Sequence, residues 1–244
     1  MLDYDTEADR YDATRGGVPR AEAAAAAVLD LLPAPAGTLL DVGCGTGLVT
    51  ERIARPGLRV AGADASPGMA ARAARRLAGA VVLADSRRLP FADGTLDAVS
   101  TVWLLHLLPE AAAVVAECAR VLRPGGVLIT TVDKDSAHDV DCDIDALFAP
   151  FRRWQDVHDS RADVTAHAAR HGLAPCGETT FTGHGQGRSP RSAVEAVQAD
   201  RLRSLLALTP GRAAGLVRDL AALPGQSEPR PDPVYRLLAL RKHG

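Results

Sequence analysis

Lysine is almost absent from this sequence: Lys134 and Lys242 are its lysines, so 28 − 2 = 26 of the basic residues are arginines. That skew, like the nearly all-alanine stretch 21–27, reads as coding bias without functional content. Cysteine is sparse too. Cys44, Cys118, Cys142 and Cys176 form no CxxC pair, which argues against a zinc knuckle, a redox dithiol or an iron–sulfur site and predicts a reduced, cytoplasmic protein with no metal. No sign of charge dominates. The 28 basic and 30 acidic residues leave a formal charge of −2, so nothing calls for nucleic acid or an anionic membrane as partner. Long apolar runs are missing, since Glu22 and Asp30 interrupt the richest early stretch, and MLDYDTEADR is acidic where a secretory signal would be basic. Neither export nor a membrane span is expected. What remains is an ordinary globular composition, 47% hydrophobic over 244 residues. It excludes disorder and collagen and suits one generous domain or a domain with an insertion.

Apolar and amphipathic runs alternate from about residue 20 to 180, the pattern of a parallel sheet covered by helices on both faces. A helix is expected over 20–32, with strands at 38–42, 59–63, 81–84, 96–102 and 127–132 and two more at 173–182 and 234–241. Ser66-Pro67 opens a helix, because serine accepts from first-turn amides and proline suits the first helical position. Ser160 with Asp163 three residues on makes a similar start. Arg123-Pro124-Gly125-Gly126 breaks the helix before the fifth strand, and Ser189-Pro190 and Thr209-Pro210 each open an inserted helix.

The chemistry gathers at strand ends. Asp41-Val42-Gly43-Cys44-Gly45-Thr46-Gly47 lies where the first strand turns, the position at which open α/β sheets bind ligands. Its spacing is GxGxG, and a dinucleotide fingerprint would want glycine where Leu48 stands. Asp41 beside the loop would repel a pyrophosphate and favour a sulfonium or ammonium. Asp64 ends the second strand, where a carboxylate can accept both hydroxyls of a ribose, and Asp85 ends the third in the same layer.

In order and spacing, LLDVGCGTGLVT, VAGADASPGM, LADSRRLPFADGTLDAVS and RVLRPGGVLIT resemble the successive motifs of class I S-adenosylmethionine-dependent methyltransferases, most of all their small-molecule branch of quinone-biosynthesis and natural-product enzymes. The resemblance is strong over about 36–133. It implies a Rossmann-like α/β fold with a seven-stranded, mostly parallel sheet, helices on both faces and a helical lid. The whole chain, 1–244, would be a single methyltransferase domain, with a cofactor core at about 36–135 completed by 160–185 and 234–242, and lid elements at about 1–20, 136–158 and 186–230. The implied cofactor is S-adenosyl-L-methionine. Gly43, Cys44 and Gly45 would pass its methionine part, Asp64 would hold the ribose diol, and Asp85 would bind the adenine amino group with Ser86 beside it. Ala65 and Met69 would pack on the adenine, and Thr101 would line the methionine side. Tyr11 and Arg15 precede the first helix in a segment that would fold over the cofactor, where Arg15 could meet its carboxylate.

The implied reaction is in-line attack of a nucleophile on the sulfonium methyl, in which positioning and exclusion of water supply most of the catalysis. His106, just after the fourth strand, is the candidate catalytic base, the alternative being a histidine packed against the cofactor or a carbonyl. The aromatic residues Trp103, Phe148, Phe151 and Trp154 are candidate walls of a small-molecule acceptor pocket, or else the means by which the lid packs. Competing readings are a methyltransferase acting on a macromolecule, a non-catalytic or repurposed cofactor-binding module, and an NAD(P) oxidoreductase, the last weakened by Leu48 and Asp41. Thr101-Val102-Trp103-Leu104 lacks the Asn/Asp-Pro-Pro-aromatic sequence by which amino-methyltransferases grip their target. Neither oligomeric state nor the acceptor atom leaves a mark on the sequence.

Overall fold

The structure is a computed structural model that describes residues 11–153, 158–203 and 205–244. Seven strands, β1 (Thr38–Val42), β2 (Arg59–Asp64), β3 (Val81–Leu83), β4 (Leu96–Thr101), β5 (Leu122–Val132), β6 (Leu173–Thr182) and β7 (Val234–Lys242), form one sheet in the order β3-β2-β1-β4-β5-β7-β6. Pairings among β1 to β5 are parallel, and β7 runs antiparallel to both β5 and β6. The fold is thus α/β and Rossmann-like, with one reversed strand. Strand order changes direction between β1 and β4, and at such a switch point the loops after the two strands part and leave a crevice.

Successive strand residues face opposite cores, the two-residue period of a sheet buried on both sides. Leu39, Ala98, Ile129, Leu237 and Ala239 pack with α2 (Gly17–Leu31) and α3 (Leu48–Ile53). Leu40, Val99, Leu128, Leu238 and Leu240 pack with α5 (Ala111–Val121) and α7 (Arg161–Ala169). The alanine run in α2 is what lets that helix lie close, since Ala24, Ala25 and Val28 are buried.

Local signals set most boundaries. Ser66 accepts from the Met69 amide at the start of α4 (Pro67–Arg76), and Ser160 accepts from the Asp163 amide at the start of α7. The fifth strand differs from expectation. Leu122 pairs with Leu96 and Val127 with Ala98, so residues 123–126 bulge out of a strand that begins five residues early. Gly126 is needed in that bulge, because a Cβ there would lie 3.0 Å from the carbonyl oxygens of Arg123 and Asp97. Arg123 also pairs with Asp97, whose Oδ2 accepts from the Gly37 and Thr38 amides at 2.8 Å each.

The remaining helices, α1 (Tyr11–Thr14), α6 (Asp143–Phe148), α8 (Pro190–Gln198) and α9 (Pro210–Ala222), lie outside the two cores. α8 and α9 occupy the connection between β6 and β7, and a capping box of Ser189 and Ser192 starts α8. Thr209 makes no side-chain cap for α9. With α6 they enclose a third apolar cluster of Ile144, Phe148, Ala193, Val197, Leu216 and Leu220. The backbones at residues 151–153 and 205–207 are tied together, Arg153 donating to the Leu205 carbonyl at 2.9 Å and Ala207 to that of Phe151 at 2.7 Å. Among the described residues no helix is long and apolar enough to cross a membrane.

Candidate functional site

The turn after β1 is shaped by glycines in the left-handed region. Gly43 (φ 71°) passes so close to Leu104 that an added Cβ would lie 2.7 Å from its Cδ1, and Gly47 (φ 76°) is similarly tight against Ala73. Gly45 (φ 55°) is different, with nothing within 4 Å of where a Cβ would sit, so its backbone faces open space. The Gly43 and Cys44 amides donate to the Ala63 carbonyl at 2.8 and 3.1 Å, and the Gly45 amide donates to Asp64 Oδ2 at 2.8 Å. Asp64 Oδ1 accepts from the Ser66 amide at 2.9 Å, so the carboxylate is pinned at the mouth of the crevice before any ligand arrives. Cys44 is buried against Gly62, and burial raises its thiol pKa, which removes it as a nucleophile.

Asp41 is not the exposed charge beside the loop that its position suggests. It is buried, accepting from Thr50 Oγ1 at 2.5 Å and Ser100 Oγ at 2.7 Å, and thereby joins β1 to α3 and β4. Burial pushes its pKa up to about 6 against the effect of those two hydrogen bonds. Its influence on a cation in the crevice comes from beneath the floor.

Asp85 is exposed and held by Arg87, whose Nε lies 3.0 Å from Oδ1 and Nη2 2.7 Å from Oδ2, and this pairing lowers its pKa. Any ligand amino group there competes with a guanidinium. Ala65 is open to solvent and Ser86 half-buried, whereas Met69 is enclosed and presents no open surface.

Beyond β4 the chain turns sharply at Trp103, a non-glycine residue with φ 56°, whose amide donates to Thr131 Oγ1 at 2.5 Å. Three side-chain polar atoms in this segment, Thr101 Oγ1, Trp103 Nε1 and His106 Nδ1, are buried without a hydrogen-bond partner. Buried polar atoms almost always find partners, so a run of three at the end of β4 makes this segment a candidate for ligand contact. His106 is neutral: burial, with the nearby Lys134 charge, drives its pKa well below the usual range, and only Asp135 opposes.

α1 lies against the glycine turn. Asp12 in α1 accepts from Thr46 Oγ1 at 2.6 Å and from Arg76 Nη2 at 2.6 Å, clasping the glycine turn to the end of α4. The Arg15 guanidinium carbon lies 5.7 Å from the Tyr11 ring centroid.

The aromatic candidates divide. Phe148 is fully buried in the third apolar cluster, where it holds helices together and offers no surface to a ligand, and Phe151 packs against that cluster half-buried. Trp154 lies outside the described residues. Trp103 stands edge-on to Phe181 and Tyr235, at 5.4 and 5.3 Å between ring centroids, with the Arg20 guanidinium carbon 3.4 Å from its own. Arg20, Tyr235 and Arg188 were not legible as site residues, because they come from α2, β7 and the β6–α8 connection and only the fold brings them near one another.

Residues 40–130 match a family model described as a methyltransferase domain. The demethylmenaquinone methyltransferase of Beutenbergia cavernae is 40% identical over 132 residues, covering 52% of this chain and 54% of that protein, so the chain spans about half the length of the curated relatives it matches. Among solved structures, the cyclase SpnF superposes with a TM-score of 0.61 at 21% identity, covering 98% of this chain and 93% of that one. Geranyl diphosphate C-methyltransferase from Streptomyces coelicolor A3(2) gives a TM-score of 0.53 at 19% identity, covering 90% and 78%. These two likenesses concern the fold alone.

Proposed function

We propose, for a chain whose residues 40–130 are the core of a class I S-adenosylmethionine-dependent methyltransferase allied to the quinone-biosynthesis branch, that it binds S-adenosyl-L-methionine in the crevice between β1 and β4 and methylates a small, partly apolar or aromatic molecule. The observation that carries this reading is the convergence, at the switch point of the sheet, of an open glycine backbone at Gly45, a pinned carboxylate at Asp64 and the partnerless hydroxyl of Thr101.

Asp64 suits a ribose diol, Gly45 lets a ligand approach the backbone, and Thr101 offers a hydroxyl on the methionine side. Asp85 and Ser86 suit an adenine edge once Arg87 yields. Met69 supports that edge from below, and Tyr11 and Arg15 close over the crevice. When bound, the cofactor supplies an electrophilic methyl on a sulfonium. A neutral His106 of lowered basicity accepts a hydrogen bond from the acceptor and orients it, and is too weak a base to take the proton outright. Rate then rests on alignment and on the exclusion of water by Trp103, Leu104 and the N-terminal segment.

Calorimetry of the full chain tests the reading. S-adenosylhomocysteine is expected to bind and NAD to bind weakly or not at all; comparable or tighter NAD binding overturns it. A mass-spectrometric screen of phenolic, amine and enolic acceptors then tests the substrate class.

A further inference from the structure

A small open cleft lies between the 138–145 segment and the start of β7, with His138, Cys142, Asp145, Gln186, Arg188 and Arg230 among its lining. Most charges in it are already neutralised. Arg230 is held by Asp143 through contacts of 2.7 and 2.6 Å. Asp145 is paired with Arg152 at 3.1 Å and accepts from the Val140 amide at 2.8 Å. Asp232, close by, accepts from the Gln186 and Gly187 amides at 2.8 and 2.7 Å.

Arg188 is the exception. Among the described residues its guanidinium has no ion pair and no hydrogen bond, although it is sufficiently desolvated for burial to lower its pKa. Arg20 repeats the pattern, its guanidinium carbon 5.9 Å from the Tyr235 ring centroid. It stacks on Trp103, donates to the Arg15 carbonyl at 2.8 Å, leaves Nε without a partner and meets no carboxylate among the described residues. A desolvated cation without a counter-charge is costly, and arginine is the residue best shaped to grip a planar or tetrahedral anion in two places.

The groups around Tyr235 form a network of their own. Tyr235 donates its single hydroxyl proton to Gln186 Oε1 at 2.7 Å, so His138 Nε2, 3.3 Å from that oxygen, must be the donor of its contact. His138 stays neutral because burial and the surrounding cations lower its pKa to about 3. Tyr235 and His138 thus spend these protons within the protein, and among the described residues Arg188 is the cation of this cleft that no carboxylate contacts, Asp145 acting on it only at a distance.

We infer that the methyl acceptor carries a carboxylate or phosphate group, which Arg188 holds in this cleft, with Arg20 adding a second positive charge near Tyr235. The inference rests on the methyl-transfer reading only in calling the ligand an acceptor; the anion site itself is measurable without cofactor.

The test uses the full chain with and without saturating S-adenosylhomocysteine, titrated by calorimetry or ligand-observed NMR with benzoate, phenyl phosphate and uncharged benzamide. Benzoate or phenyl phosphate is expected to bind and benzamide not, and the stronger of the two anions identifies which group the site takes. Arg188→Gln should lose about tenfold or more in anion affinity, the loss of one charge-assisted pair, and Arg188→Lys should recover part of it. Both variants should keep the wild-type melting temperature and S-adenosylhomocysteine affinity. Equal binding of benzamide, or unchanged anion affinity in Arg188→Gln, overturns the proposal. So does a selective loss of S-adenosylhomocysteine affinity in that variant, which would make Arg188 a clamp for the cofactor carboxylate, and so does a preference for an oligonucleotide over every small anion. If the wild-type chain binds the anions but not S-adenosylhomocysteine, the anion site stands and the methyl-transfer reading falls.

Discussion

The Gly45 amide and the Asp64 carboxylate hold each other at 2.8 Å, so the turn after β1 and the end of β2 form one unit before any ligand arrives. Asp64→Ala is expected to weaken S-adenosylhomocysteine binding by about 1.5 to 3 kcal/mol through loss of charge-assisted hydrogen bonds. Asp64→Asn should fall between the two. Calorimetry beside a thermal melt separates the roles: unchanged affinity with a collapsed melting temperature would leave Asp64 a purely structural residue.

Asp41 makes stability depend on pH. Its folded pKa, about 6, lies above the ordinary carboxylate value of 3.8, so between these values the folded state holds more protons than the unfolded one. Stability from this group is therefore full below about pH 4, falls as pH rises towards 6, and is level above; two pKa units correspond to about 3 kcal/mol. Asp159, raised by burial to about 6, acts in the same window. Asp41→Asn should flatten the fall measured by urea unfolding from pH 4 to 7, and an unaltered slope would mean Asp41 does not titrate there.

Arg87 competes for Asp85. If Asp85 meets the adenine, removing its partner with Arg87→Ala should tighten S-adenosylhomocysteine binding modestly, and Asp85→Ala should weaken it. Loss of affinity in Arg87→Ala would show that the guanidinium, and not the carboxylate, faces the ligand.

Phe148 has no exposed surface in the lid cluster. Phe148→Ala should cost about 3 to 5 kcal/mol of stability, the usual penalty for emptying a buried aromatic site, with S-adenosylhomocysteine affinity retained at low temperature. Wild-type stability with altered acceptor preference would return Phe148 to the pocket wall.

Features encoded locally were readable in the sequence. The glycine turn, the strand at 38–42 and the caps at Ser66, Ser160 and Ser189 all depend on residues within a few positions of each other, and they form where expected. Features that depend on distant partners were not. Asp41 reads as a carboxylate beside the loop, and only the structure shows Thr50 and Ser100 enclosing it. Phe148 and Phe151 have the same amphipathic pattern whether they face a ligand or another lid helix. Arg20 is far along the chain from Arg188 and Tyr235, and that neither arginine pairs with a carboxylate among the described residues is a property of the packed molecule alone.

The alternation of Leu237, Leu238, Ala239 and Leu240 between the two cores has a consequence for how such a chain can diversify. β7 is hydrogen-bonded on both flanks, to β5 and to β6, and a slip by one residue would exchange its faces and expel leucines from both cores. Its alignment is thus set by the sheet and not by the length of the connection that precedes it. The 183–233 excursion can lengthen, shorten or change its side chains while the end of the sheet stays in place, so selection can rework this connection without rebuilding the crevice between β1 and β4.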